Sequence, residues 1–240
     1  TKQEHTVHHI GASGIAIVVD SGADIPLEYE NEIQVVPVRY SFGNQQHIDK
    51  TTQTTEEFYH QMEIDSNHPK TSQPTPGDFK KIYNFISSHY NSIISIHLSK
   101  KLSGTYQSAF NAAKSIEINN MKIIDSYSAS VGLGLLAIYA VDLKQEGKTY
   151  NKIIDKIEEQ KEKIQVFLLL NDLTYVVRGG RLPQKIKTIA NFFRLRPVLG
   201  TKKGKLTARG LLYGHSKRVE KFVKFLRSKI KEDKKYHIMI

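Results

Sequence analysis

The chain has 240 residues, 39% apolar and 25% charged, with no cysteine and a formal net charge of +11. That length buries the core of one large domain or two modest ones, the composition is that of a soluble globular protein, and the missing cysteine excludes disulfides, thiolate metal sites and cysteine nucleophiles. The charge is lopsided: residues 201–240 hold 13 Lys or Arg against 3 acids while the first 200 hold 22 against 21, and no nucleic-acid module with interleaved aromatics is present, so no nucleic acid is expected.

The N-terminal stretch TKQEHTVHHIGASG lacks the apolar core of a secretory signal. The longest uncharged apolar run, VGLGLLAIYAV at 131–141, is about half of a bilayer span. The expected location is the cytoplasm. His5, His8 and His9 read as part of a solvated extension over 1–13 rather than as a metal site. IAIVVD (15–20) and SIISIHL (92–98) are short, β-branched, nearly continuous apolar runs, which suits strands covered on both faces; MKIID (121–125) and IQVFLLL (164–170) read the same way.

Helical stretches lie between them. Residues 54–63 open on the capping box Thr54-x-x-Glu57, 76–90 carry Phe79, Ile82, Tyr83 and Ile86 on one face, and 129–146 stop at Gly147. Thr75, Pro76 and Asp78 form the start signal of the second. Strand alternating with helix argues for a parallel α/β sheet. After about residue 163 the texture changes: the turn RGGR, a helix near 184–193, a hairpin turning at Lys203-Gly204, and a helix over 216–230 with Val219, Phe222, Val223, Leu226 and Ile230 as its buried stripe. YHIMI (236–240) reads as the start of a strand, so the C-terminus is expected to be truncated.

In an open parallel sheet, ligands sit where strands end and helix N-termini offer free N–H groups. Three segments end a strand in small polar residues: VVDSGAD, IHLSKKLSGTY and IIDSYSAS, with Asp-Ser repeated at 20–21 and 125–126. Each has the alternative of merely capping the next helix. In LSGTY, Gly104 lets backbone approach a ligand closely between the Ser103 and Thr105 hydroxyls. As a nucleophile Ser103 lacks the elbow pattern. GLGLLA (132–137) formally matches a dinucleotide fingerprint, but its glycines stand six residues beyond the strand end at Ser126 and read as close helix packing. Thr71, Ser72 and Gln73 of KTSQPTPGDF are small polar groups with no local task, either a polar loop or ligand donors.

Taken together, IAIVVDSGADIP, TSQPTPGDF, LSKKLSGTYQSA, IIDSYSASVGLGLL, RGGRL and RPVLGTKKGKL, in this order and spacing, closely resemble the DegV family of fatty-acid-binding proteins, from about residue 14 to the end. The resemblance implies an α/β protein of two domains, a Rossmann-like parallel-sheet domain over 14–163 and an α/β domain with a mixed or antiparallel sheet over 164–240. It implies a long-chain fatty acid buried between them, no cofactor, no metal and no catalysis by the carrier. The implied partner is a fatty acid kinase that makes acyl phosphate for phospholipid synthesis, with transient contact to an anionic membrane. Carried over by motif, the fatty-acid-binding residues are Thr71, Ser72, Ser103, Gly104, Thr105 and Arg181, with Asp20, Ser21, Ser126 and Gly180 as candidate pocket-lining positions. Gly22 departs from the Thr often found there, and the family's closing His-Gly motif is absent. The alternatives are an acyl-transferring or acyl-hydrolysing enzyme using Ser103, or a basic nucleic-acid or regulatory module built on 201–240.

Overall fold

The structure, a computed structural model, describes residues 14–116, 118, 120–192, 195–214, 216–231 and 233–240. His5, His8 and His9 lie outside them. Strands β1 (Ile15–Asp20), β2 (Ile33–Val36), β3 (Arg39–Phe42) and β4 (Gln45–Ile48) come first, then helix α1 (Thr55–Ile64), β5 (Lys70–Ser72), α2 (Pro76–Ser87), β6 (Ser92–His97), α3 (Thr105–Lys114) and β7 (Met121–Asp125). Helices α4 (Val131–Gln145) and α5 (Tyr150–Gln160) follow, then β8 (Leu168–Leu169), α6 (Thr174–Arg178), α7 (Gln184–Phe192), the long pair β9 (Leu195–Lys202) and β10 (Lys205–Tyr213), and α8 (Arg218–Arg227).

The architecture is α/β, as the strand and helix pattern requires. A parallel sheet runs in the order β2-β1-β6-β7, and antiparallel sheets form from β4-β3-β5 and β10-β9-β8. Every residue of β1 and β6 is buried, because helices cover both faces. Ile15, Ile17, Val19, Ile94 and Ile96 pack on α4 and α5 through Leu133, Leu136, Ala140, Ile153 and Ile157. Ala16, Val18 and Ile93 face α2 and α3 through Phe79, Tyr83, Ile86, Ala109 and Ala112. The chain leaves β1 toward β2 on one side and returns at β6 on the other, so the topological switch point lies between the carboxyl ends of β1 and β6.

The helix signals act as read. Thr54 and Glu57 form a reciprocal capping box, and so do Thr75 and Asp78 behind Pro76. The α4 glycines are packing positions: a Cβ on Gly134 would stand 2.0 Å from the Asp24 carbonyl oxygen, and one on Gly132 2.4 Å from a Val166 methyl. In the hairpin β9–β10, Lys203 and Gly204 both have positive φ, the two-residue turn whose twist matches its strands.

Three expectations are corrected. Of 164–170 only Leu168–Leu169 join a ladder, with Leu199 and Val198; Val166 and Phe167 instead fill space against Gly132, Gly200 and Phe225. Residues 236–240 form no strand, since among the described residues no strand pairs with them. Helix α8 is shorter than 216–230 and has no buried residue: Phe225 seats on Gly210 of β10, while Val219 is 73% exposed and Val223 40%. The expected stripe is only half used because α8 meets β10 and little else.

Candidate functional site

The loop after β6 is tied down at the switch point by its own backbone N–H groups. Leu98 N–H donates to Asp20 Oδ2 at 2.9 Å, Ser99 N–H to the Ser128 carbonyl at 2.8 Å and Lys100 N–H to Asp125 Oδ1 at 3.4 Å. The loop then curls, with Leu102 and Ser103 N–H both bonding the Ser99 carbonyl, and enters α3. Ser103 Oγ lies 2.9 Å from Thr105 Oγ1 and accepts from Thr105 N–H at 3.3 Å, so two hydroxyls gather at a helix N-terminus that already favours negative charge. Among the described residues no imidazole, carboxylate or amine hydrogen-bonds Ser103, which leaves it without a base.

Other segments close on this loop. Gln73 Nε2 donates to Ser108 Oγ of α3 at 3.0 Å, and a Cβ at Gly104 would stand 1.8 Å from Gln73 Oε1. The Gln73 carboxamide thus occupies the space that Gly104 leaves open. Thr71 and Ser72 precede Gln73 on β5, paired with Tyr40 and Arg39 of β3, exposed and with their hydroxyls unbonded among the described residues. From the other side, Arg181 Nε donates to the Leu102 carbonyl at 3.1 Å and the same guanidinium bonds the Gly179 carbonyl. The hairpin tip docks as well: Ser99 Oγ donates to the Gly204 carbonyl at 2.8 Å and Lys101 Nζ to that of Lys203 at 2.9 Å. A cavity of about 430 Å³ lies between them, lined by Lys101, Leu102, Gly179, Gly180, Arg181, Lys205 and Leu206. Three cations and no acid line it, so it suits an anion.

Of the residues singled out from sequence, Arg181 and Gly180 line this cavity, while Ser103, Gly104 and Thr105 continue the loop that forms its wall. Asp20, Ser21 and Ser126 do not line it. Ser21 Oγ donates to Asp49 Oδ2 at 2.6 Å and accepts from Val38 N–H, and Ser126 Oγ donates to the Ser128 carbonyl and accepts from Ser128 N–H. Asp20 heads a fully buried network. A carboxylate only accepts, so His97 Nδ1 carries the proton donated to Asp20 Oδ2 at 3.0 Å. Nε2 lies 2.7 Å from Ser95 Oγ, which in turn lies 2.8 Å from the Tyr83 hydroxyl. Burial pushes the Tyr83 hydroxyl strongly upward, so it stays a donor. The order Ser95, His97, Asp20 is that of a hydrolase triad, but all three are 0% exposed and Ser95 meets no substrate. His97 and Ser95 escaped the sequence reading. Their signal was the alternation Ile93, Ser95, His97 on one face of a buried strand, two polar groups where the core calls for apolar ones.

Among the described residues no group of three or more His, Asp or Glu is placed to hold a metal, and no helix is long and apolar enough to cross a membrane.

The family profile described as "Uncharacterised protein, DegV family" matches residues 14–240. A DegV domain-containing protein of Staphylococcus aureus strain COL is 35% identical over 184 residues, 76% of this chain and 65% of that protein, so the chain covers less than two thirds of that relative. A Thermus thermophilus structure, described as fatty acid binding of a DegV family protein, is 29% identical with a TM-score of 0.78, covering 89% of this chain and 77% of that one. The Streptococcus pneumoniae fatty acid kinase B3 protein, loaded with linoleic acid, shares the fold at 23% identity and a TM-score of 0.78, covering 90% and 78%. With the profile spanning nearly the whole chain, this chain belongs to the DegV family.

Proposed function

We infer that this protein binds a long-chain fatty acid and carries out no chemistry on it. The carboxylate is met by the Thr71, Ser72 and Ser103 hydroxyls, the backbone around Gly104 and the Arg181 guanidinium, while Thr105, fully buried, holds Ser103 through its own hydroxyl. The acyl chain lies between a unit over 14–163 and a unit over 164–240. The observation that carries this reading is the joining of two motifs: Arg181 of RGGR bonds the Leu102 carbonyl at the root of LSGTY, beside a cation-lined cavity. The Thermus relative, described as fatty-acid-binding, supports it.

The energetics divide accordingly. Burying about 14 methylenes contributes on the order of 10 kcal/mol gross, so the tail supplies affinity. A carboxylate leaving water is costly unless donors meet it, and hydroxyls with an Arg fork do so. The head group sets orientation. Holding the carboxylate at the exposed mouth of the site suits presentation to a second protein, a fatty acid kinase that phosphorylates it, with brief contact to an anionic membrane during loading. A serine hydrolase reading gains nothing from the geometry, since Ser103 is bonded to Thr105 and to no base.

Protein purified from a bacterial host is expected to carry fatty acid near one per chain, read by denaturing it, extracting with organic solvent and weighing the extract by mass spectrometry. A native mass spectrum of apoprotein alone, unchanged after added fatty acid, overturns the reading.

A further inference from the structure

The repeated Asp-Ser at 20–21 and 125–126 has a structural meaning that binding alone does not use. Strand β6 lies between β1 and β7, and beyond His97 its continuing backbone has no ladder partner. The last residue of each flanking strand reaches across to it. Asp20 of β1 accepts from Leu98 N–H, and Asp125 of β7 accepts from Lys100 N–H, two residues along. Each carboxylate also closes on its own chain, Asp20 Oδ1 taking Gly22 N–H at 3.0 Å and Asp125 Oδ1 taking Tyr127 N–H at 3.1 Å. The β7 side adds Ser126 N–H to the His97 carbonyl at 3.0 Å. Asp20 is 0% exposed and Asp125 6%, so neither carboxylate is free to turn toward solvent. His97 fixes Asp20 further, and Phe79 meets the imidazole edge-on at 5.0 Å.

We propose that Asp20, held by His97, and Asp125 are positioning residues: together they clamp the loop from Leu98 to Thr105 in its ligand-ready geometry before any ligand arrives. The inference rests on the fatty acid reading for what the loop receives, but not for the clamp itself. A donor set gains from being held in advance, because a misplacement of about 1 Å costs as much as roughly a hundredfold.

Two measurements on the full chain test it. In the first, delipidated protein is titrated with palmitate by calorimetry. Asp20→Asn, which turns one of two accepting oxygens into a donor, is expected to weaken binding roughly tenfold or more, and Asp125→Ala, whose bond to Lys100 is longer, by roughly threefold. A core truncation remote from the loop, Ile157→Ala in α5, should lower the melting temperature at least as much and leave the affinity within about twofold. Asp20→Asn and Asp125→Ala variants that both bind palmitate as the parent does overturn the proposal. In the second, hydrogen exchange of the ligand-free parent should show the Leu98 and Lys100 amides protected, and Asp125→Ala, which removes its only acceptor among the described residues, should release Lys100. Rapid exchange of both amides in the parent, slowed only when palmitate is added, overturns the proposal without any variant, which matters should Asp20→Asn fail to fold. A parent that binds no palmitate counts against the fatty acid reading alone, and the exchange data then decide the clamp.

Discussion

Gln73 occupies the space that a side chain at position 104 would need, with Oε1 1.8 Å from where that Cβ would be and Nε2 on Ser108. The residue that looked idle in sequence therefore has a structural task, while its neighbours Thr71 and Ser72 keep unbonded hydroxyls. That division was not legible beforehand, because nothing in TSQP says which of three polar side chains turns toward α3. It does sharpen the test of the donors. A hydrogen bond to a charged group is worth about 1.5–3 kcal/mol, so Ser103→Ala or Thr71→Ala should each weaken fatty acid binding roughly ten- to a hundredfold. Thr71 is exposed and Ser103 bonds only within its own turn, so the circular dichroism spectrum and melting temperature should barely move. A double variant of unchanged affinity would assign both hydroxyls to the fold.

At the scale of elements, legibility followed burial. Strands β1, β6 and β7 were plain because helices cover them and force continuous apolar runs. Helix α5 also carried its signal in Ile153 and Ile157, spaced four apart and both buried, although the sequence reading passed over it. Strand β5 carried none: Lys70, Thr71 and Ser72 are all exposed, and only pairing with β3 makes them a strand. Helix α2 joins element to site, since its start fixes the end of the TSQP segment. Burial alone would raise the Asp78 carboxyl, but the Thr75 N–H, the Thr75 hydroxyl and Arg39 at 2.9 Å together outweigh it and hold the group below its ordinary 3.8. Folded Asp78 thus keeps its charge to lower pH than the unfolded chain does. The stabilisation is complete above the ordinary value and is lost as pH falls through the folded one. Thr75→Ala should cost about 1 kcal/mol near neutral pH, and denaturant midpoints should show that gap shrinking below about pH 4. A gap constant across that window would mean the cap does not act through Asp78.

For the whole molecule, the sequence located the charge but misjudged the surface that carries it. Residues 201–240 hold a balance of +10, from 13 basic residues against 3 acids. Helix α8 within them buries nothing completely, so an apolar stripe was inferred where Val219 and Val223 are in fact exposed beside the cations. The spacing was right, but among the described residues no element covers those valines, which no periodicity reveals. The lysines also differ in duty. Lys221 donates to the Tyr213 carbonyl at 2.8 Å and ties α8 to β10, so it is unsuitable for a charge test. Lys217 has only an exposed pairing with Glu220, while Lys224 and Lys231 have none among the described residues. A basic surface with exposed valines attracts an acidic protein or an anionic bilayer, and such attraction acts mainly on encounter rate. Reversing Lys217, Lys224 and Lys231 to Glu should slow association with vesicles of anionic phospholipid several-fold in stopped-flow measurements at low salt, with the effect shrinking as ionic strength rises. Palmitate affinity should stay as in the parent, because the three side chains lie apart from the cavity lined by Lys101, Arg181 and Lys205. Association rates equal to the parent's at low ionic strength, with vesicles and with an acidic kinase partner alike, would leave the charge a solubilising role only.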